Sequence, residues 1–232
     1  MVRLRAALAA LMGIVASSAL ADLSKNPDKD SDKDSTSPTT LTLRATLYTI
    51  ALESDFPSKR DSAFVSLTGK VLHKASKEFI ADARVQGSGR LKDGRIVMYA
   101  GEDEEGAPRW KISPHRYAIG ASGCRLVPFH SISVDTRVIP LFTKLVIPKT
   151  KGMKLPDGTI HDGVWYALDT GGAIKRDRVD LFVGAGKAAL EIMRGHEIYH
   201  LTKLEVTLLG RVPACPSVMA SLDPSLRGDA TQ

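Results

Sequence analysis

The sequence predicts a mainly β protein, a compact barrel of short strands with one or two short helices. Three observations predict it. From Ser131 onward, short apolar or alternating segments recur between turns rich in glycine and proline. In that half, only Gly186 to Arg194 has convincing helical spacing, and Gly195 stands where a left-handed glycine would end it. Hydrophobic residues make up 43% of the chain, enough to bury a core.

The first residues are read as a targeting segment. Arg3 and Arg5 form a positive start, Ala6 to Ala16 an apolar stretch, and Ala19-Leu20-Ala21 a small-x-small cleavage site. That is the pattern of a secretory signal peptide over residues 1–21, and its apolar run is too short to span a bilayer. The expectation is export, to the periplasm or beyond the cell, with no stable membrane anchor after cleavage and outer-membrane association left open. Residues 22–40 are rich in Asp, Lys, Ser and Pro and are expected to form a disordered leader. A single folded domain is expected over 41–222, with a loose polar tail at 223–232.

Within the domain, Leu41 to Leu52 alternates as a strand. Ala63 to Val85 reads as helix or strand. Arg90 to Tyr99 reads as two strands about the Lys92-Asp93-Gly94 turn, and Gly101 to Pro108 as an acidic loop. Ser131 to Val134, Leu145 to Ile147, Val164 to Leu168 and Val179 to Val183 are expected strands. Lys154 to Gly163 holds the turn Pro156-Asp157-Gly158, and Ile198 to Leu209 is the last expected strand.

Net charge is +6, or +4 once Arg3 and Arg5 are removed. No run of Lys and Arg is long enough for a nucleic-acid footprint, and 6% aromatics is thin for a base-stacking surface. The chain is expected to be monomeric. Cys124 and Cys215 are the two cysteines; in an oxidising compartment they are able to pair, but spacing does not fix connectivity. A bridge closing so long a loop would contribute about 4 to 5 kcal/mol on the chain-entropy model.

Two short motifs invite other chemistry. His196-Glu197-Ile198-Tyr199-His200 matches the H-E-x-x-H zinc pattern, which needs a helix to bring both histidines to one metal. Here a glycine ends the preceding helix and the following residues favour strand, where positions four apart lie about 13 Å from each other. No metal and no cofactor is expected. Asp169-Thr170-Gly171 matches the aspartic-protease triplet, but that chemistry needs two copies and the chain has one. An aspartate capping a glycine turn is the commoner meaning.

A third pattern carries more weight. Asp135 follows Ser133-Val134, Asp169 ends Ala167-Leu168 before Thr170-Gly171-Gly172-Ala173-Ile174-Lys175, and Asp180 lies inside Arg178-Val179-Asp180-Leu181-Phe182-Val183-Gly184. Each carboxylate sits within or beside an apolar strand, where a charge is costly unless paired or used. These stretches resemble the three-aspartate (3D) domain, shared with the membrane-bound lytic murein transglycosylase A family. Val85-Gln86-Gly87-Ser88-Gly89-Arg90, Asp93-Gly94-Arg95 and Tyr99-Ala100-Gly101 are similar to a second stretch of that family. The resemblance covers roughly 85–209. It departs at Thr136, where proline is usual, and at Phe142, where glycine is usual.

The resemblance implies a six-stranded double-psi β-barrel and cleavage of peptidoglycan glycan strands at the β-1,4 bond between N-acetylmuramic acid and N-acetylglucosamine, leaving a 1,6-anhydro end. It implies Asp180 as the acid and then base, Asp169 as its tuning neighbour and Asp135 as a third member of the catalytic set. Gln86, Ser88, Thr170, Gly171, Gly172 and Lys175 are the implied substrate contacts. The alternative is a non-catalytic wall-binding barrel. The family's enzyme walls its groove with a second domain, and Leu41 to Ala83 is short for one. A hydrolase on the same barrel would need a second carboxylate placed to activate water.

Overall fold

The computed structural model describes residues 38–115, 117–213 and 215. The expected signal peptide, the expected leader as far as residue 37, residues 216–222 of the expected domain and the expected tail lie outside the described residues. The elements are β1 (Thr39–Leu52), β2 (Ser62–Val65), β3 (Val71–Ala75), α1 (Lys77–Gln86), β4 (Ser88–Arg90), β5 (Ile96–Glu102) and β6 (Pro108–Ile112), then β7 (Ser131–Ser133), β8 (Thr143–Val146), β9 (Val164–Asp169), β10 (Arg178–Ala185), α2 (Ala188–Gly195) and β11 (Thr202–Arg211).

Six strands close a barrel in the order β10-β7-β9-β8-β11-β1, and β1 returns to β10. Two neighbouring pairs, β1 with β10 and β7 with β9, are parallel, and the other four are antiparallel. This mixture fits the double-psi form. Strand alternation sorts the residues. Leu43 and Ala45 of β1, Ile132 of β7, Leu145 of β8, Trp165 and Ala167 of β9, Val179, Leu181 and Val183 of β10, and Leu204 and Val206 of β11 fill the interior. Their neighbours in sequence, including Tyr48, Tyr166, Leu168 and Phe182, face outward. They are not left in water, because the strap from Tyr117 to His130 lays Ala118, Cys124, Leu126 and Val127 over them.

The segment after β1 is not barrel. β2 and β3 form a hairpin, and α1 and the β4-β5-β6 ribbon pack with them around Phe64, Phe79, Ala83, Val97 and Trp110. Ring centroids lie 5.4 Å apart for Phe64 and Phe79, and 4.8 Å for Phe64 and Trp110. This resolves the ambiguity of Ala63 to Val85: short strands come first, then a helix. Ser76 caps the helix, accepting from the Phe79 N–H at 3.2 Å, and Gly87 ends it at φ 79°. The lobe joins the barrel where Ala51 of β1 pairs with Gly89 of β4. A side chain at Gly89 would meet the Phe79 ring at 2.9 Å, so the second glycine of Gly87-Ser88-Gly89 is set by packing. The wall next to the barrel is therefore built by residues through Ile112, well beyond the Leu41 to Ala83 stretch.

Several local expectations are corrected. β1 begins at Thr39 and pairs with Leu208, so the strand takes in the last residues of the expected leader. Gly195 is the final residue of α2, and Glu197 takes the left-handed conformation at φ 55°. Ile198 to Leu201 form neither helix nor strand, and the last strand starts at Thr202. The H-E-x-x-H residues thus lie in the connection between α2 and β11, neither helix nor strand, with Ile198 anchoring it in the core. Cys124 and Cys215 are joined by a disulfide, with Cα atoms 5.2 Å apart.

Candidate active site

Register brings two of the three aspartates together. Ser133 of β7 lies opposite Asp169 of β9 on one side and Asp180 of β10 on the other, and Asp180 lies opposite Thr46 of β1. Paired positions project from the same face of a sheet. Asp169, Ser133, Asp180 and Thr46 therefore form one polar row across four strands, on the outer face of the barrel. A bulge makes this possible. The β7–β9 register skips Leu168 between Ala167 and Asp169, which turns Asp169 onto the face of Ser133.

Asp169 is held from three directions. Its Oδ1 accepts from the Ala121 N–H of the strap at 2.9 Å; its Oδ2 accepts from the Ser133 hydroxyl at 3.1 Å and the Tyr48 hydroxyl at 3.2 Å. Burial nevertheless outweighs these bonds and pushes its carboxyl above the usual range. The strap comes this close because of Gly120. A side chain there would meet the Leu168 carbonyl oxygen at 2.4 Å and Leu126 at 2.7 Å.

Asp180 has a different setting. One carboxyl oxygen, Oδ1, is buried without a hydrogen-bond partner. Burial is the main cause that raises its pKa to about 6, with Asp169 adding to the shift; the Thr46 hydroxyl and Arg178 pull the other way. An unpaired oxygen in a dry place favours the protonated carboxyl, because the neutral form loses less on leaving water.

Asp135 lies elsewhere. It is buried, and it accepts from Arg137 Nε (3.0 Å), Arg137 Nη2 (2.6 Å) and the backbone N–H groups of Arg137 (3.1 Å) and Arg176 (2.8 Å). These donors hold it well below the usual carboxylate range. It borders a separate hollow with Leu41, Arg137 and Asp177. The structure therefore does not bring Asp135 into the row of Asp169 and Asp180; it ties the β9–β10 loop to the end of β7.

A cleft of about 290 Å³ opens beside the row, between the barrel, the lobe and the strap. Tyr48, Gln86, Ser88, Lys111, Asp169 and Thr170 line it. The Gln86 side-chain oxygen accepts from the Thr49 N–H at 2.8 Å, which fixes that amide at the cleft wall. Of the six substrate contacts that the sequence suggested, Gln86, Ser88 and Thr170 line this cleft. Gly171, Gly172 and Lys175 are on the β9–β10 loop and are not among the lining residues. Asp180 is also not among them; it stands next in the row, beyond Ser133. Tyr48, Thr46, Ser133, Lys111 and the Gly120-Ala121 strap were missed by sequence reasoning. Period-2 alternation from Asp135 would have placed Ser133 on the same side of its strand, but no signal in β1 or the strap marks the others.

Three members of the polar row, Ser133, Asp169 and Asp180, lie in a stretch similar to a known family. Residues 130–201, which hold all three aspartates, match the family model of the 3D domain. The chain is 27% identical over 142 residues to the membrane-bound lytic murein transglycosylase A of Vibrio cholerae serotype O1, a match that takes in 59% of this chain and 38% of that protein. This chain thus spans less than half the length of that curated relative. Among solved structures, E. coli MltA with bound chitohexaose is similar at a TM-score of 0.51 and 19% identity, covering 74% of this chain and 72% of that one. The likeness extends the shared fold beyond the barrel.

Proposed function

We propose that this chain is an exported lytic transglycosylase that cuts peptidoglycan glycan strands between N-acetylmuramic acid and N-acetylglucosamine. The observation that carries the reading is Asp180: a carboxyl with a pKa near 6, beside a second carboxyl and next to a cleft. The match to the 3D domain and the similarity to transglycosylase A support it. An ordinary aspartate would be almost wholly ionised at neutral pH, whereas a group with a pKa near 6 keeps about a tenth of its protons at pH 7.

In this reading the Asp180 proton passes to the glycosidic oxygen as the C1–O bond breaks and the N-acetylglucosamine 4-hydroxyl departs. The Asp180 carboxylate then takes the proton from the C6 hydroxyl of the N-acetylmuramic acid, whose oxygen closes onto C1. No water is consumed, and one carboxyl serves both steps, unlike the two-carboxylate hydrolases. None of these steps calls for a metal or cofactor. Asp169 keeps the Asp180 proton affinity high by its charge. Gln86, Ser88 and Thr170 hold sugar at the cleft, Gly171, Gly172 and Lys175 meet it at the loop, and Asp135 positions that loop through the Arg176 N–H. The chain acts as a monomer on its polymer.

The test is digestion of purified sacculi with the mature protein. Mass spectrometry should find muropeptides with 1,6-anhydro ends, and Asp180→Asn should release none. Products with reducing ends would mean hydrolysis. Binding to sacculi without release would leave a wall-binding module.

A further inference from the structure

Arg178 is a charged side chain beside Asp180 that the mechanism above leaves unused. It lies two residues before Asp180 on β10, so it projects from the same outer face, about 7 Å along the strand. It is half-buried, and its Nε is fully buried with no hydrogen-bond partner. The carboxylates around it are already engaged. Asp177 takes both guanidinium bonds of Arg44, the residue opposite Arg178 on β1, at 2.8 Å each. Asp135, two residues beyond Ser133, takes Arg137 and the Arg176 N–H. Among the described residues Arg178 forms no ion pair shorter than 4 Å, and its electrostatic neighbour is Asp180.

This arrangement is uncomfortable without a ligand. Asp180 escapes the cost of burial by keeping its proton. A guanidinium cannot, because it stays charged through the whole accessible pH range. When Asp180 is protonated, Arg178 is left as a half-buried cation whose buried Nε has no acceptor, a cost that calls for an explanation. Asp180 Oδ1 is the second orphaned atom on the same face. A protonated carboxyl and a guanidinium side by side offer two donors, so the matching ligand offers two acceptor oxygens.

We infer that Arg178 is a substrate-positioning residue on the side of Asp180 away from the cleft, where its guanidinium takes a carbonyl oxygen of a glycan substituent while Asp180 meets the glycosidic oxygen. This rests on the glycan-cutting reading of the site. The carbonyl has two possible sources, the acetamido group of either sugar and the lactyl group that only the muramic sugar carries. Arg178 acts through position and charge, and no bond is made or broken at it.

The test measures glycan affinity apart from turnover. Titration calorimetry on wild type, Arg178→Gln and Arg178→Lys uses two probes, N-acetylglucosamine hexamer and a peptide-bearing muramic acid oligosaccharide, with melting curves to check folding. Arg178→Gln should bind about 10- to 100-fold more weakly, the loss of a charge-assisted bond in a dry site. Arg178→Lys, which keeps the charge but lacks Nε, should also bind more weakly. Loss with both probes assigns the acetamido carbonyl, and loss confined to the muramic probe assigns the lactyl carbonyl. In sacculus digestion, the alkaline limb of the pH profile should move up in Arg178→Gln, because the cation that lowers Asp180 is gone, and stay in place in Arg178→Lys. Folded variants that bind both probes as wild type does would overturn the inference, as would a wild type that binds neither. If Arg178→Gln does not fold, Arg178→Lys decides. A wild type that binds glycan but releases no anhydro product would sink the transglycosylase reading alone.

Discussion

The proposed mechanism needs a general acid that holds its proton at the working pH, and at Asp180 burial, with few partners, favours the protonated form. One oxygen has none, and a neighbouring carboxylate raises the cost of ionising. Two outcomes follow at this scale. Activity on sacculi should fall as pH rises through about 6, the pKa of Asp180. Asp169→Asn removes the like charge and should shift that limb to lower pH, with less activity at pH 7. The same strain has a cost in stability. The folded pKa of Asp180 lies above the unfolded value of 3.8, so its contribution is intact below pH 3.8 and lost as pH rises through about 6. Asp180→Asn should therefore be more stable than wild type at pH 8 by about 1–3 kcal/mol in urea unfolding. An equal or lower stability would mean that burial of the charge is already compensated.

The elements matter through how they deliver single groups. The bulge in β9 turns Asp169 toward Ser133, and the strap brings one amide, Ala121 N–H, to its other oxygen. The strap is pinned at Gly120 by close approach to β9 and at Cys124 by the bridge to Cys215. Gly120→Ala would place a methyl carbon 2.4 Å from a backbone oxygen, so the strap must move. The expected result is about 1–3 kcal/mol lost in stability and a fall in kcat larger than the change in binding of N-acetylglucosamine hexamer. Replacing both cysteines by serine should cost about 2–5 kcal/mol and lower the melting temperature; an unchanged melt would show that the strap is held by its apolar contacts alone. Phe142 belongs to this scale too. It sits at φ 68°, where the family pattern has glycine, and is held there by its N–H to the Ala167 carbonyl at 2.7 Å and by the Val212 N–H on its own carbonyl at 2.9 Å.

Across the whole molecule, pH acts on two buried groups in opposite directions. His161 is buried, with Nε2 at the Phe129 carbonyl and Nδ1 accepting from the Gly163 N–H, and it stacks on His130 at 4.8 Å. Burial lowers its pKa from 6.5 to about 4. Its neutral form is the folded one, so its contribution is present above pH 6.5 and lost as pH falls toward 4. Asp180 loses its contribution as pH rises through nearly the same window. Asp169, also raised by burial, adds to the loss as pH rises, so between pH 4 and 6.5 the stability of Asp180→Asn should climb more steeply with pH than that of wild type. Equal slopes for the two proteins would show that Asp180 titrates as an ordinary aspartate.

The sequence by itself determined the strands of the barrel, because alternation in Ser131 to Val134, Val164 to Leu168 and Val179 to Val183 states which residues must leave water. It also marked the three aspartates, since carboxylates within apolar strands are costly unless used, and through the 3D pattern it singled out Asp180. What it did not determine is which of them meet. That depends on β7 lying between β9 and β10, on a one-residue bulge at Leu168, and on a strap and a β1 tyrosine arriving from distant parts of the chain. Strand period is a local property that neighbouring residues enforce. Register, burial and the number of donors around each carboxylate are set by the closed barrel, and those decided that Asp135 is tied down, Asp169 is clamped and Asp180 is left to keep its proton.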